Sequence, residues 1–139
     1  MRCTMQATIP PAMRTLLSPF VSPERRVLWR ALLALLLAVI TWLALSPAPP
    51  KTVDLGWDKA NHSLAFASLA FSAVWALWQR PRQWPLLFIA LLAYGVGIEI
   101  AQSFLPPRQA DWHDVVADGV GIALGLLAAW AVTWLAGRD

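Results

Sequence analysis

Charge is what this 139-residue chain has least of: Asp, Glu, Lys and Arg together make up 14% of it, where a soluble domain carries about a quarter. A water-soluble fold of this size needs that polar cover, because it cannot hide all of its remaining surface. Cysteine is nearly absent too. Cys3 stands alone, which excludes an intramolecular disulfide and a cysteine-based zinc framework. The two histidines, His62 and His113, are too far apart for an HxxxH or HExxH spacing. The chain therefore carries no compact metal motif, and no cofactor or metal is expected.

What fills the space is apolar. Hydrophobic residues reach 58%, and there are nine tryptophans. The composition makes the lipid bilayer the main solvent and partner of this chain. It predicts four spans near the roughly 20 residues a crossing helix needs. They run from Val27 to Leu45, Asp58 to Trp78, Pro85 to Leu105 and Asp114 to Ala136. The second is strongly apolar only from Leu64, so it must take Asp58, Lys59, Asn61 and His62 into its outer turns to span. None of the 11 prolines falls inside a span except Pro85, at a first-turn position that tolerates it. Pro106-Pro107 closes the third helix by forcing the residue before it out of the α region. Trp29, Trp42, Trp57, Trp75, Trp78, Trp84, Trp112, Trp130 and Trp134 all fall in end turns or just outside, the pattern of an interfacial aromatic belt. The first apolar run is too long for a signal-peptide core, and no clear small-x-small site follows it. The expected fold is all-α: an integral membrane four-helix bundle over residues 27–139, preceded by a flexible cytoplasmic tail over residues 1–26.

Orientation follows from the basic residues. Arg2, Arg14, Arg25, Arg26, Arg30, Arg80, Arg82 and Arg138 fall on one side, and Lys51, Lys59 and Arg108 on the other. The Lys/Arg-rich side is cytoplasmic by the positive-inside rule, so both termini are expected inside. The net charge of +3 is thus a membrane-anchoring asymmetry and gives no reason to expect a nucleic-acid partner. Acidic residues show the reverse bias: Asp54, Asp58, Glu99, Asp111, Asp114 and Asp118 gather towards the outer side.

Depth and helical phase make that outer cluster informative. His62 and Asp118 each lie about 6 Å into their helices, and Glu99 about 9 Å from the end of its own, at 1.5 Å per residue. Asp58 and His62, Glu99 and Gln102, and Asp114 and Asp118 are pairs at i,i+4 or i,i+3, so each pair shares one stripe. Below Asp118 the stripe continues as Gly121 and Gly125, a GxxxG spacing suited to close helix packing. Ionisable groups inside a span cost on the order of 2.5–3.5 kcal/mol at mid-membrane, so they should face one another. Asp58, Glu99, Asp111, Asp114 and Asp118 outnumber the permanent cations Lys59 and Arg108. Protonation, or a bound cation or basic group, would offset the difference. Structural roles fit several of these residues equally well. Asp111 and Asp114 suit the N-cap and N3 positions of the fourth helix, Asp58 suits a cap, and Lys59 suits a snorkelling side chain. Glu99 and Gln102 suit interhelical glue, and His113 beside Trp112 suits the interface. A metal held by His62, Glu99 and nearby aspartates is chemically possible.

The ordered set Asp58-Lys59-x-x-His62, Glu99-x-x-Gln102, Arg108, Asp111-Trp112-x-Asp114 and Asp118-x-x-Gly121-x-x-x-Gly125 resembles the VanZ-like membrane protein family over roughly residues 50–130. The resemblance implies a small multi-pass protein of the bacterial cytoplasmic membrane, in a family whose founding member is associated with resistance to the glycopeptide teicoplanin. It points to Asp58, Lys59, His62, Glu99, Gln102, Arg108, Asp114 and Asp118 as functional residues. Two departures stand out. The family pattern usually has asparagine at the position of Asp118, and a glycine and an aromatic where this chain has Asn61 and Ser63. The first makes this site more acidic.

The leading functional expectation is a cell-envelope protein. Its outward-facing polar pocket of Asp58, Lys59, His62, Glu99, Gln102, Arg108, Asp111, Asp114 and Asp118 would bind a lipid-linked envelope precursor or a cationic or glycopeptide group. One alternative is a metal-assisted hydrolase or transferase on a lipid-linked substrate, for which Ser63 and Ser103 offer no obvious nucleophile. The other is a proton- or cation-coupled transporter. The sequence assigns no oligomeric state.

Overall fold

The computed structural model describes residues 22–47, 58–77 and 80–136, together with Ala12. Of the expected tail over residues 1–26, only Ala12 and residues 22–26 are described; the loop charges Lys51 and Asp54, Trp57, Trp78, Arg138 and Asp139 also lie outside the described residues. Within them the chain forms four α-helices and no strand: α1 (Arg26–Leu45), α2 (Asp58–Ala76), α3 (Trp84–Gln102) and α4 (Trp112–Leu135). Short 3-10 turns at Pro23–Arg25 and Pro81–Gln83 lead into α1 and α3.

The helix limits shift by a few residues from expectation, each for a local reason. Helix α3 ends at Gln102 instead of Leu105. Pro106 disfavours helical backbone at Leu105, and the chain tightens into turns in which Phe104 N–H bonds Ala101 O (3.2 Å) and Leu105 N–H bonds Gln102 O (3.0 Å). Helix α4 starts at Trp112, two residues before Asp114, because Asp111 caps it. Helix α2 stops at Ala76, short of Trp78.

Among the described residues three segments are long and apolar enough to cross a membrane: α1, Pro81–Gln102 and α4. Each shows lipid a stripe at helical spacing. On α1 the stripe is Leu28, Leu32, Leu35, Val39 and Trp42; on α4 it is Val116, Val120, Leu124, Leu127, Trp130 and Trp134. Helix α2 differs. Its polar first turns dilute its apolar character, and only Leu64 within it and Leu77 just after its end are large exposed hydrophobics among the described residues. Phe66, Leu69, Ala70, Ala73, Val74, Trp75 and Ala76 of α2 are buried. This helix is sheathed by its neighbours, so its small and polar residues meet protein instead of acyl chains. Trp75 is correspondingly a core residue, only 3% exposed. It packs on Trp29 and Phe71 with ring centroids 6.5 and 6.0 Å apart, and so departs from the expected belt. Trp42, Trp112, Trp130 and Trp134 do lie exposed near helix ends.

The tightest packing is between α2 and α4. A Cβ on Gly121 would overlap the backbone of Ser63, and one on Gly125 would overlap the backbone of Ala67. The GxxxG stripe of α4 therefore lies directly on the main chain of α2, at a separation only a residue without a side chain allows. The obstacle is backbone, which cannot rotate away. Gly121→Leu and Gly125→Leu are expected to cost more than the about 1–3 kcal/mol of ordinary overpacking. Their thermal midpoints in detergent should fall well below that of Gly97→Ala, a position where a Cβ meets nothing within 4 Å. Equal midpoints would contradict this packing.

Candidate functional site

Successive helices run antiparallel. Trp29 near the start of α1 packs on Phe71 near the end of α2, with centroids 5.9 Å apart. At the opposite end of the bundle, Gln102 at the end of α3 reaches Ala44 at the end of α1. That second end therefore collects the close of α1, the opening of α2, the close of α3 and the opening of α4. All the polar residues singled out from the sequence occur there.

The outer layer is built on the cap of α4. Asp111 is extended, with φ −128° and ψ 115°, and its carboxylate accepts the N–H of His113 at 2.9 Å, as an N-cap should. The His113 ring nitrogen Nδ1 lies 2.6 Å from the same oxygen. The other oxygen, Oδ2, accepts from Lys59 Nζ of α2 at 2.7 Å. Lys59 also donates to Oδ1 of Asp114, so one ammonium clamps the start of α2 to the first turn of α4. The Lys59 hydrogen bond, then those from His113, hold the Asp111 carboxyl well below the usual carboxylate range, since each favours the charged form.

Beneath this layer sits His62. Its Nδ1 is 2.8 Å from Oδ1 of Asp118, and its Nε2 is 3.7 Å from Oδ2 of Asp114. Asp118 is 1% exposed and Asp114 5%. The second Asp118 oxygen has no partner among the described residues and lies where a Cβ on Gly95 would be. Glu99 is buried. Its Oε2 accepts the Asp111 backbone N–H at 2.8 Å, while Oε1 is unpartnered among the described residues. Asp58, exposed at the start of α2, completes a group in which Asp58, His62 and Asp114 each offer a ligand atom, all within 4.8 Å of one another.

Two predicted pocket residues do something else. Gln102 Nε2 donates to Ala44 O at 2.9 Å. Arg108 donates from Nε to Ser46 O at 3.0 Å and from Nη2 to Leu43 O at 2.9 Å. These carbonyls belong to the last turn of α1, where helix geometry leaves acceptors without partners and the macrodipole favours a cation. Arg108 and Gln102 thus tie α1 to the end of α3 and its following loop. With Arg108 engaged there, Lys59 is the one permanent cation among the described residues at the five carboxyls of Asp58, Glu99, Asp111, Asp114 and Asp118. The site is more acidic than a count of nearby residues implied.

Two contributors were not singled out from the sequence. Gly95 lies four residues before Glu99 and so shares its stripe, a spacing that could have marked it as room made for a facing polar group, here the Asp118 carboxylate. Ser63, which offers no obvious nucleophile by sequence, has a structural role: its Oγ donates to Ala117 O at 2.9 Å and joins α2 to α4 beside His62. Below this layer the interior is largely apolar, with Phe66, Leu69, Val74 and Ile122 fully buried and Ser72 a buried hydroxyl among them. The hydroxyls of Ser68 and Thr133 bond carbonyls of their own helices.

The assignment of Arg108 to α1 is testable by a double-mutant cycle. Arg108→Ala should lower unfolding stability in detergent by about 1–3 kcal/mol, the cost of stranding polar groups that a charged donor had satisfied. Its coupling to Glu99→Gln should be near zero. A coupling above about 1 kcal/mol would put Arg108 in the acidic cluster after all.

Residues 7–134 match the VanZ/LLP1 family. An uncharacterized protein of the fission yeast Schizosaccharomyces pombe, C11E3.10, is 32% identical over 99 residues, which cover 70% of this chain and 59% of that protein. The chain thus spans less than two thirds of that relative's length. No solved structure matches. Because this relative is eukaryotic, membership of the family implies by itself neither a bacterial membrane nor glycopeptide resistance. With almost the whole helical region matched, and four helices arranged around one polar end, this chain belongs to the VanZ/LLP1 family of membrane proteins.

Proposed function

We propose that this protein uses the acidic end of its bundle, facing away from the cytoplasm, to hold the cationic headgroup of a membrane-resident amphiphile. A phospholipid amine or a lipid-linked envelope precursor has the required chemistry. One observation carries the reading: five carboxyls from three helices and one N-cap meet a single lysine, in a layer set into the end of an apolar bundle. Two buried carboxylate oxygens, on Glu99 and Asp118, have no partner among the described residues. Unneutralised charge of one sign in a low-dielectric setting draws a counter-ion strongly, and the nearest source for such a site is the headgroup layer beside it. The match to a fission-yeast protein favours a chemistry common to many membranes over one confined to a bacterial wall.

Orientation rests on the arginines. Among the described residues Arg25, Arg26, Arg30, Arg80 and Arg82 all lie at the end opposite the acidic cluster, which supports a cytoplasmic location for that end under the positive-inside rule. Trp112→Cys on a Cys3→Ser background should react from outside intact cells with a membrane-impermeant maleimide. Protection until the membrane is opened would reverse the topology.

Binding is read by native mass spectrometry of protein released from nanodiscs that mix phosphatidylethanolamine and phosphatidylglycerol. The wild type should retain the amine-bearing lipid preferentially. Glu99→Gln, which removes one charge at constant shape, should weaken that preference about fivefold or more, since hydrogen bonds and pairing to charged groups contribute about 1.5–3 kcal/mol. Equal retention of both lipids by the wild type, or an unchanged preference in Glu99→Gln, defeats the proposal. Retention of a soluble glycopeptide in place of the lipid would move the ligand to the other amine source.

A further inference from the structure

We propose that Asp58, His62 and Asp114 form a binding site for one divalent first-row transition metal ion, of the Zn2+ or Mn2+ class, and that Asp118 is the residue that positions His62. The inference stands independently of the headgroup reading, because it rests on three ligand atoms and their support and not on the overall charge.

The geometry around His62 carries it. Asp118 is 1% exposed, and its Oδ1 sits 2.8 Å from Nδ1 of the imidazole. A carboxylate there accepts a hydrogen bond from Nδ1–H and so turns the Nε2 lone pair outward, the arrangement by which protein carboxylates orient metal-binding histidines. On the other side of the ring, Nε2 faces Oδ2 of Asp114 across 3.7 Å, beyond hydrogen-bonding distance. Asp114 is buried, 5% exposed, and Lys59 engages only its other oxygen. Two electron-pair donors therefore face each other with no hydrogen bond between them, and Asp58 joins them in a group whose three residues each offer a ligand atom within 4.8 Å of the others. Ligand atoms about 2.0–2.2 Å from a shared tetrahedral ion stand roughly 3.3–3.6 Å apart, a closure that small side-chain rotations supply.

The donor set selects the ion. One imidazole nitrogen with two carboxylate oxygens is neither the all-oxygen set of Ca2+ and Mg2+ nor a thiolate site, and suits Zn2+ or Mn2+. Three protein ligands leave coordination positions open, on the side of the exposed Asp58 carboxylate. A dication there would also offset much of the carboxylate excess around His62. The competing arrangement has no metal: His62 carries two protons and bridges Asp114 and Asp118 as an imidazolium.

The test uses untagged full-length protein in detergent without added phospholipid, stripped with chelator and titrated calorimetrically with Zn2+ and, separately, Mn2+. We expect one saturable equivalent for at least one of the two ions. Asp118→Asn should weaken it about 10- to 100-fold, as loss of a histidine's supporting carboxylate does. Asp58→Asn should weaken it at least tenfold, and because Asp58 is exposed at the start of its helix this variant keeps the fold even if His62→Ala does not. Substitution with Co2+ should give visible absorption bands that vanish in His62→Ala. Absence of saturable binding for both ions, or an Asp58→Asn protein that binds as tightly as the wild type, overturns the proposal in favour of the imidazolium. Failure here leaves lipid selectivity untouched, and a Glu99→Gln protein that loses selectivity while keeping the ion separates the two readings.

Discussion

The close approach of α4 to α2 is the constraint from which the rest of this structure follows. Gly121 and Gly125 bring one helix onto the main chain of the other at Ser63 and Ala67. Within two turns of that contact α4 carries Asp114 and Asp118, and α2 carries Lys59 and His62, the latter next to Ser63. Because the backbones nearly touch at the glycines, these short side chains can meet: His62 reaches Asp118 at 2.8 Å and Lys59 reaches Asp111 at 2.7 Å. A bulkier seam would hold the helices apart, and the carboxylates would be left in an apolar bundle without donors, at a cost of several kcal/mol each. Packing and electrostatics are therefore one design here.

Helix α2 shows how the bundle accommodates a segment too polar to be a good span alone. It is wrapped by α1, α3 and α4, whose outer stripes of leucine, valine and tryptophan face lipid in its place. The small residues of α2 then become an advantage, since they admit neighbours closely and let van der Waals contact, the main attraction between helices in lipid, act over short distances. The hydroxyl of Thr41, 2.7 Å from that of Tyr94, and the Arg108 and Gln102 bonds to the last carbonyls of α1 hold that helix against α3. Arg108 thus supports the site from outside by fixing the wall beside it.

In the acidic layer, the groups divide by depth. Asp111, Lys59 and His113 form a half-exposed network that caps α4, whereas Asp118, Asp114 and Glu99 are buried and only partly satisfied. Glu99 is held by a single backbone N–H from Asp111, so the loop between α3 and α4 is itself fastened to the deeper layer. Membership of the VanZ/LLP1 family places this arrangement on a helical frame whose extent agrees with the match.

Local sequence determined the number and type of elements. Hydrophobic run length, proline position and the Asp111 cap are short-range properties, and they locate all four helices to within a few residues. The GxxxG stripe was legible for the same reason, because spacing along one helix is written in the chain. Which helix those glycines meet, that Trp75 turns inward, that Gly95 makes room for the Asp118 carboxylate, and that Arg108 serves the end of α1 instead of the carboxylates were decided only in three dimensions. Each depends on the rotation of one helix about its axis relative to another, and on which of several acceptors within reach of a long side chain lacks a partner. Both are set when the helices dock, by backbone contacts between residues far apart in sequence.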